Sequence, residues 1–358
     1  MRRVSGDSGA VAVLVALLLP VVLLGFGALV LDVGSLYAER RQLQNGADAA
    51  ALAIAANCSQ GSCTDAVTGL PEATAQTYGN TNDNRGSVNV ERVCGVGSGL
   101  TACPVGEAAP SGLGYVRVRV RTGTSGGPGL MPPLLGRALD PTYDGTNVRA
   151  VSTVAWGVPI TVASGLPLTI SQCEVPEVNT LPSFTSADAV SIASLADATE
   201  AILYLHDTTG ASDCPAGPSG ADLPGGFGWL DATAGCTALT DDGVWYDDKT
   251  GVPPPTVCDP ADFDALVGTV VYIPVFEDTN QLNGSNGSYR MASAAAFFLT
   301  GYSIVGQYTH KSIASLTYPC SGQATCISGF FVNVPYSDAI GELSDDASNG
   351  VVSVKIVD

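Results

Sequence analysis

The longest apolar run of the chain lies at its start. Ala10 to Leu31 are 22 residues without a charge, about 33 Å of helix and enough to cross a bilayer. Pro20, Gly25 and Gly27 interrupt it, as is common in membrane helices. A signal peptide has an apolar region of about 7–15 residues, followed by small residues at a cleavage site. This run is longer and no such site follows, so the pattern predicts an uncleaved anchor. Beyond it, Val33, Leu36, Leu43, Ala47, Ala50 and Ile54 recur at helical spacing, with Glu39, Arg40, Arg41, Gln42 and Gln44 between them. This amphipathic stripe predicts one helix from about Gly9 to Asn57, roughly 70 Å long. The stripe is expected to be an interaction face, meeting a partner, the chain's own head, or both.

Downstream the period changes. Val88 to Val93 and Tyr115 to Thr122 alternate apolar and polar residues, as half-buried strands do. Asn147 to Trp156 predicts a third strand, and Met131 to Leu139 a short helix broken by Pro132 and Pro133. Val158 to Pro182 is Pro-rich and apolar and reads as a linker or edge segment. Ser186 to Leu205 predicts a helix with Ser186 as N-cap. Further strands are expected at Thr269–Phe276, Ala294–Gly306, Cys326–Val334 and Val351–Val357. The expected organisation is α+β, with a cytoplasmic tail (1–9), a transmembrane helix (10–31), a helix-plus-antiparallel-sheet domain (32–157), a linker (158–182) and a β-rich domain (183–358).

Composition narrows the function classes. A chain of 358 residues with 46% hydrophobic and 14% charged residues is not wholly disordered. Its 34 acidic and 15 basic residues give a net charge of −19, which repels a phosphate backbone and argues against nucleic acid. All ten cysteines follow the apolar run, and disulfides persist in oxidising compartments. Positive charge does not set orientation, because Arg2 and Arg3 are offset by Asp7, and Arg40 and Arg41 by Glu39. The cysteines therefore place the bulk of a single-pass chain outside the cell. Cys58/Cys63, Cys94/Cys103 and Cys320/Cys326 enclose short loops. Cys173, Cys214, Cys236 and Cys258 leave three pairings open.

Catalytic and metal signals are weak. No C-x-x-C pair exists, so zinc or redox chemistry is not expected. Gly123-Thr124-Ser125-Gly126-Gly127 matches a nucleophile elbow, but the preceding strand carries Arg117, Arg119 and Arg121 on one face, and only His206 and His310 are available as bases. Asn80, Asn82, Asn84 and Glu91 stand at calcium-loop positions, yet Arg85 holds the place of the required glycine. Asp241, Asp242, Asp247 and Asp248 surround Trp245 and Tyr246 and offer a cation or glycan surface, although a solvated acidic face is the simpler account. No catalytic residue, cofactor or metal is assigned.

The N-terminal motifs carry a resemblance. Gly9 opening the apolar run, Pro20, Leu31-Asp32-Val33-Gly34 at its exit, Glu39 to Gln44, and Ala47-Asp48-Ala49-Ala50-Ala51-Leu52-Ala53 resemble the start of TadE/TadG-like proteins of the Flp (tight adherence) pilus system. Gly225–Asp231, Ala295–Tyr302 and Cys326–Val332 resemble the outer part of TadG-like members. An anchor that continues as an amphipathic helix before an antiparallel sheet also resembles the pilin plan. Prepilins carry a Glu five residues after the cleavage Gly; here that position is Leu14, which favours a permanently anchored member. Asp346-Ala347-Ser348-Asn349-Gly350 is the nearest approach to a von Willebrand A metal motif and does not match it. The resemblance implies a non-catalytic accessory of pilus assembly or secretion. Its partners would be membrane lipid, pilin or other pilus components, with a homo-oligomer allowed. The alternative is an extracellular glycan- or cation-binding module.

Overall fold

A computed structural model of the chain describes residues 8–84, 88–110, 114–123, 141–142, 145–205, 227–233, 235–247, 253–280, 287–322, 324–336, 340–344 and 351–357. Helix α1 spans Ser8–Ser59 without interruption, about 78 Å at 1.5 Å per residue. Its two halves meet different surroundings. Leu17, Leu23, Phe26 and Val30 are more than half exposed, whereas Leu43, Ala47, Ala50, Ala51, Ile54 and Ala55 are buried. Helix α2 (Pro71–Asn82) has Pro71 at its start and Glu72 in its first turn, both favourable at a helix N-terminus. It crosses α1 where Gly46 faces Gly79; a Cβ on Gly46 would stand 3.2 Å from the Gly79 Cα.

The second half of α1 lies on an antiparallel sheet. Strands β1 (Val88–Val96), β2 (Gly114–Thr122) and β3 (Arg149–Ser164) follow in chain order. Val116, Val118 and Val120 turn toward the helix with Val154 and Trp156, as the two-residue period of a strand requires. The close packing of β1, β2 and Trp156 demands glycine at 114, where a Cβ would lie 2.4 Å from both the Trp156 ring and the Val96 carbonyl.

Strand β3 runs in the same sense as α1. The Gln44 Nε2 donates to the Val151 carbonyl at 2.9 Å, and a Cβ on Gly97 would touch both Cys63 Sγ and the Trp156 ring, so Trp156 stands by the end of the helix. From there β3 continues for eight residues, roughly 26 Å, into the rest of the molecule. The boundary expected at Gly157 falls inside this strand. The stretch expected as a linker is strand over 158–164 and again in β4 (Leu168–Ser171), because its apolar residues are buried on sheet faces.

The outer part is an eight-stranded sheet. Its main path is β5 (Ala201–Tyr204), β12 (Cys326–Val332), β10 (Ser288–Ser303), β9 (Val270–Asn280), β4 and β6 (Phe227–Trp229). Short strands β8 (Trp245–Asp247) and β11 (Thr309–His310) pair with β10. Both faces are covered. Ala295, Phe297 and Leu299 pack with Trp229, Phe263 and Phe331, while Ala294, Ala296 and Phe298 pack with Val162 and Tyr336. Double burial explains why this stretch reads as a continuous apolar run rather than an alternation.

The chain then returns. Strand β13 (Val334–Tyr336) is parallel to β15 (Val351–Ile356), and β15 pairs antiparallel with β3 in the first sheet. Strands β7 (Ala238–Asp241) and β14 (Ile340–Ser344) pair with the outer half of β3. The terminal strand, expected in the second domain, thus completes the first sheet: Val352 packs under α1 and Val351 against the outer sheet. The helix expected at Ser186–Leu205 is instead 3-10 turns at Ala187–Ala189 and Ile192–Leu195 followed by β5. The Ser191 hydroxyl accepts from the Ser194 N–H and the Ser194 hydroxyl from the Ser191 N–H; such short polar side chains close turns in competition with a helix. The helix expected at Met131–Leu139 lies outside the described residues.

The α1–sheet contact generates a stability prediction. Ile54 is fully buried, and Ile54→Ala should cost about 2–5 kcal/mol, whereas Asn45→Ala, on the exposed side of the same helix, should stay within about 0.5 kcal/mol. Denaturant unfolding of the two variants measures both.

Candidate functional site

The site that the fold presents is α1 itself with the surfaces around its emergence. The most apolar 18-residue window of Ala12–Ser59 has a mean hydropathy of 2.9, and none of it is buried. Among the described residues it is the one helix long and apolar enough to cross a membrane. The apolar side chains described between Ala12 and Leu31 therefore have no covering from the fold. The stripe residues divide. Leu43, Ala47, Ala50 and Ile54 lie in the core against the first sheet, Leu36 is half-buried, and Val33 is 42% exposed. The lower helical face is thus occupied by the chain's own sheet, and a partner cannot reach it. The small alanines allow the helix to lie close to the β2 and β3 valines, which is why the stripe looks amphipathic.

The end of α1 is fastened chemically. Cys58 is bonded to Cys63 immediately beyond the helix. The Asp65 carboxylate then accepts from the Val67 N–H (2.8 Å), the Thr68 N–H (2.6 Å) and the Thr68 hydroxyl (2.9 Å). Donation from Thr68, then from Val67, lowers the Asp65 pKa to about 2. Further disulfides join Cys94 to Cys103, Cys236 to Cys258 and Cys320 to Cys326. Cys173 is also disulfide-bonded, and Cys214 lies outside the described residues.

The face of the first sheet opposite α1 carries arginines. Arg117, Arg119 and Arg121 alternate along β2, with Arg92 opposite Arg119 and Arg149 opposite Arg121. Glu107 binds Arg117 at 2.5 Å and Arg119 at 3.2 Å, and the Arg117 hydrogen bond is the first cause of its lowered pKa. Glu91 lies 3.2 Å from Arg149 and 3.6 Å from Arg121. Cys94, Cys103 and Glu107 come together in a metal-like cluster, but the sulfurs are spent in a disulfide and the carboxylate on arginine, so the group does not fit a cation.

The calcium-loop candidates are not brought to one point. Asn80 and Asn82 are in α2, where Asn80 Oδ1 accepts from Gln76 and the Val88 N–H. Asn84 contacts Gln42, Glu91 is on β1, and Arg85 is outside the described residues. In the acidic loop the Asp241 carboxylate accepts from Thr161 at 2.6 Å and its N–H donates to the Tyr246 hydroxyl at 2.8 Å. Burial is the first cause that raises the Tyr246 pKa. Trp245 is 44% exposed on β8, and Asp248 is outside the described residues, as are Ser125 and His206. His310 Nδ1 lies 2.7 Å from the Lys311 carbonyl.

A long apolar helix whose far half forms the core of a disulfide-bonded α+β head defines an anchored-head class of protein. Residues 9–57 match the Tad family model, described as Flp pilus-assembly TadE/G-like. The match covers nearly all of α1 and stops before α2. No curated protein and no solved structure matches the chain. The domain and the apolar helix together fit a membrane-anchored Tad component.

Two measurements test the fastening of α1. Peptide mapping without reduction should recover the linked pairs Cys58–Cys63, Cys94–Cys103, Cys236–Cys258 and Cys320–Cys326. The Asp65 carboxyl, with a folded pKa below its unfolded value, should contribute stability above about pH 4 and lose it as pH falls through about 2. Asp65→Asn should flatten that part of the pH–stability curve; an unchanged curve would contradict the assignment.

Proposed function

We propose that the protein is a non-catalytic structural component of Flp pilus assembly or secretion. The helix holds a disulfide-bonded head at a fixed distance from the membrane, with the head outside the cell and in contact with pilin or other envelope proteins. The observation that carries this reading is the unbroken helix Ser8–Ser59, exposed and apolar at one end and buried in the head at the other. Its span coincides with the family match. The disulfides support an oxidising location. Because β3 runs alongside α1 and continues past its end, the outer sheet is carried away from the membrane and offers the distal surface to a partner.

A second reading, a glycan- or cation-binding module, is favoured by exposed Trp245 beside Asp247 on an edge strand. It gives a distinct outcome in the same assay. Removing Met1–Leu31 should lower pilus formation or surface export at least tenfold, because a spanning helix provides effectively irreversible attachment. Ser125→Ala, His206→Ala, His310→Ala and Trp245→Ala should each leave it within about twofold, since surface changes away from an essential contact are near neutral. Undiminished activity of the soluble head would overturn the positional role. Loss on Trp245→Ala in a stably folded protein would favour the binding module, and loss on Ser125→Ala an enzyme.

A further inference from the structure

One edge of β12 is held at both ends and open between them. At one end the Leu205 N–H donates to the Thr325 carbonyl at 2.9 Å, and β5 pairs from there as far as Ala201, opposite Gly329. At the other end the Asn333 N–H donates to the Pro182 carbonyl at 2.8 Å, and the Asn333 carbonyl accepts from the Phe184 N–H at 2.9 Å. The main-chain groups of a strand address one edge at every second residue. Thr325, Ile327, Gly329, Phe331 and Asn333 therefore address the same edge, and Phe331 falls between the two holders. Its N–H and C=O have no partner there among the described residues, although Phe331 is only 6% exposed. The same alternation turns the N–H and C=O of Ile202 away from β12. Strand β5 meets β6 at the Leu205–Phe227 bridge, and three residues before it Ile202 faces no described strand.

Ile202 and Phe331 line one groove of about 780 Å³, together with Glu174, Leu181, Asp197 and Leu203. Leu181, Leu203 and Phe331 belong to the core of the outer sheet, so the floor is apolar. Glu174 and Asp197 make the rim acidic, within a stretch (158–358) that holds four Lys/Arg against 23 Asp/Glu. Main-chain groups shielded from water without a partner are costly. An extended peptide is the ligand that offers N–H and C=O together at strand spacing. The field of the stretch selects a basic peptide and repels a second copy of the chain.

We infer that this groove takes an extended segment of a partner protein in which apolar and basic residues alternate. The main chain of the segment pairs with Ile202 and Phe331. An apolar side chain rests on Leu181, Leu203 and Phe331, and a basic one reaches Asp197 and Glu174. That the partner is an envelope protein rests on the function proposed above; the chemistry of the groove does not.

The test titrates full-length protein in detergent with a capped seven-residue peptide alternating lysine and valine, read by fluorescence anisotropy. Its glutamate–valine counterpart, and a lysine–valine peptide N-methylated at its central valine, should each bind on the order of tenfold more weakly or worse. Ile202→Pro should abolish binding at an unchanged unfolding midpoint, because proline removes a donor that β12 does not use. Asp197→Lys, on the exposed rim, should weaken binding about tenfold. Asp247→Lys, the same charge change on β8, should leave it within about twofold. In amide exchange the Ile202 N–H should be fast in the free protein and slow with the lysine–valine peptide. Equal binding of all three peptides, or binding that survives Ile202→Pro, would overturn the groove. So would an Ile202 N–H already protected without peptide: protection independent of protein concentration means that the chain covers its own edge, and protection that rises with concentration means a second copy. The positional role is tested separately by pilus formation of the chain lacking Met1–Leu31, so the two readings fail independently.

Discussion

The packing of α1's small-residue face against the first sheet is the contact on which the other features of the molecule depend. Leu43, Ala47, Ala50, Ala51, Ile54 and Ala55 bury almost completely against valines of β2 and β3 and against Val352 of β15. A helix that left the membrane and ended in a flexible tether would give its head no fixed height. Here the same hydrogen-bonded cylinder that starts at Ser8 becomes a wall of the core. The alanines lower the helix–sheet distance, and the glycine pair at 46 and 79 does the same between α1 and α2. The Cys58–Cys63 bond and the Asp65 turn then close the far end of the helix. Pro20, which lacks an N–H for the helical ladder, falls in the exposed apolar half, away from the packed half. Any bend caused by the lost hydrogen bond arises there, and the junction with the head stays intact.

Strand β3 transmits that order outward. Its first half pairs with β2 and β15, its second half with β7 and β14, and Val162 belongs to the core shared with the outer sheet. The terminal strand β15 locks the arrangement, since Val351 and Val352 point into different cores. Alternation along a single strand therefore joins two hydrophobic units that the composition would separate. The outer sheet is itself buried on both faces, and its aromatic contacts, such as Phe297 with Phe331 at 5.0 Å, are those of an interior.

What could be read from sequence follows from how local each signal is. The helix, β1, β2 and the start of β3 are legible because their burial is one-sided and periodic. The spans Thr269–Phe276, Ala294–Gly306 and Cys326–Val334 show as strands through β-branched and aromatic content. Strands such as β6, β7, β8 and β11 are two to four residues long, and exist only through partners far along the chain. Helix α2 is rich in Asn and Thr, whose hydrogen-bonding pattern resembles a loop more than a helix. Val158–Pro182 reads as a linker because prolines mark turns, yet Pro159 sits in β3 between residues whose apolar side chains drive the pairing. The stripe on α1 is legible as a face, but which surface it meets is a tertiary fact.

Charge also decides which part of the molecule can approach a neighbour in the plane of the membrane. Residues 158–358 carry the net −19, and two copies of this stretch repel within a Debye length of about 8–10 Å. Residues 32–157 are close to neutral, with Glu91 and Glu107 tied to arginines. Lateral contact between identical copies is therefore disfavoured through the later stretch and unopposed through the earlier one. A partner for the outer sheet must instead be neutral or positively charged, and its attraction weakens as salt rises. In the proposed anchored arrangement the same field also repels an anionic lipid surface, and the continuous α1–β3 unit sets how far the head stands from it.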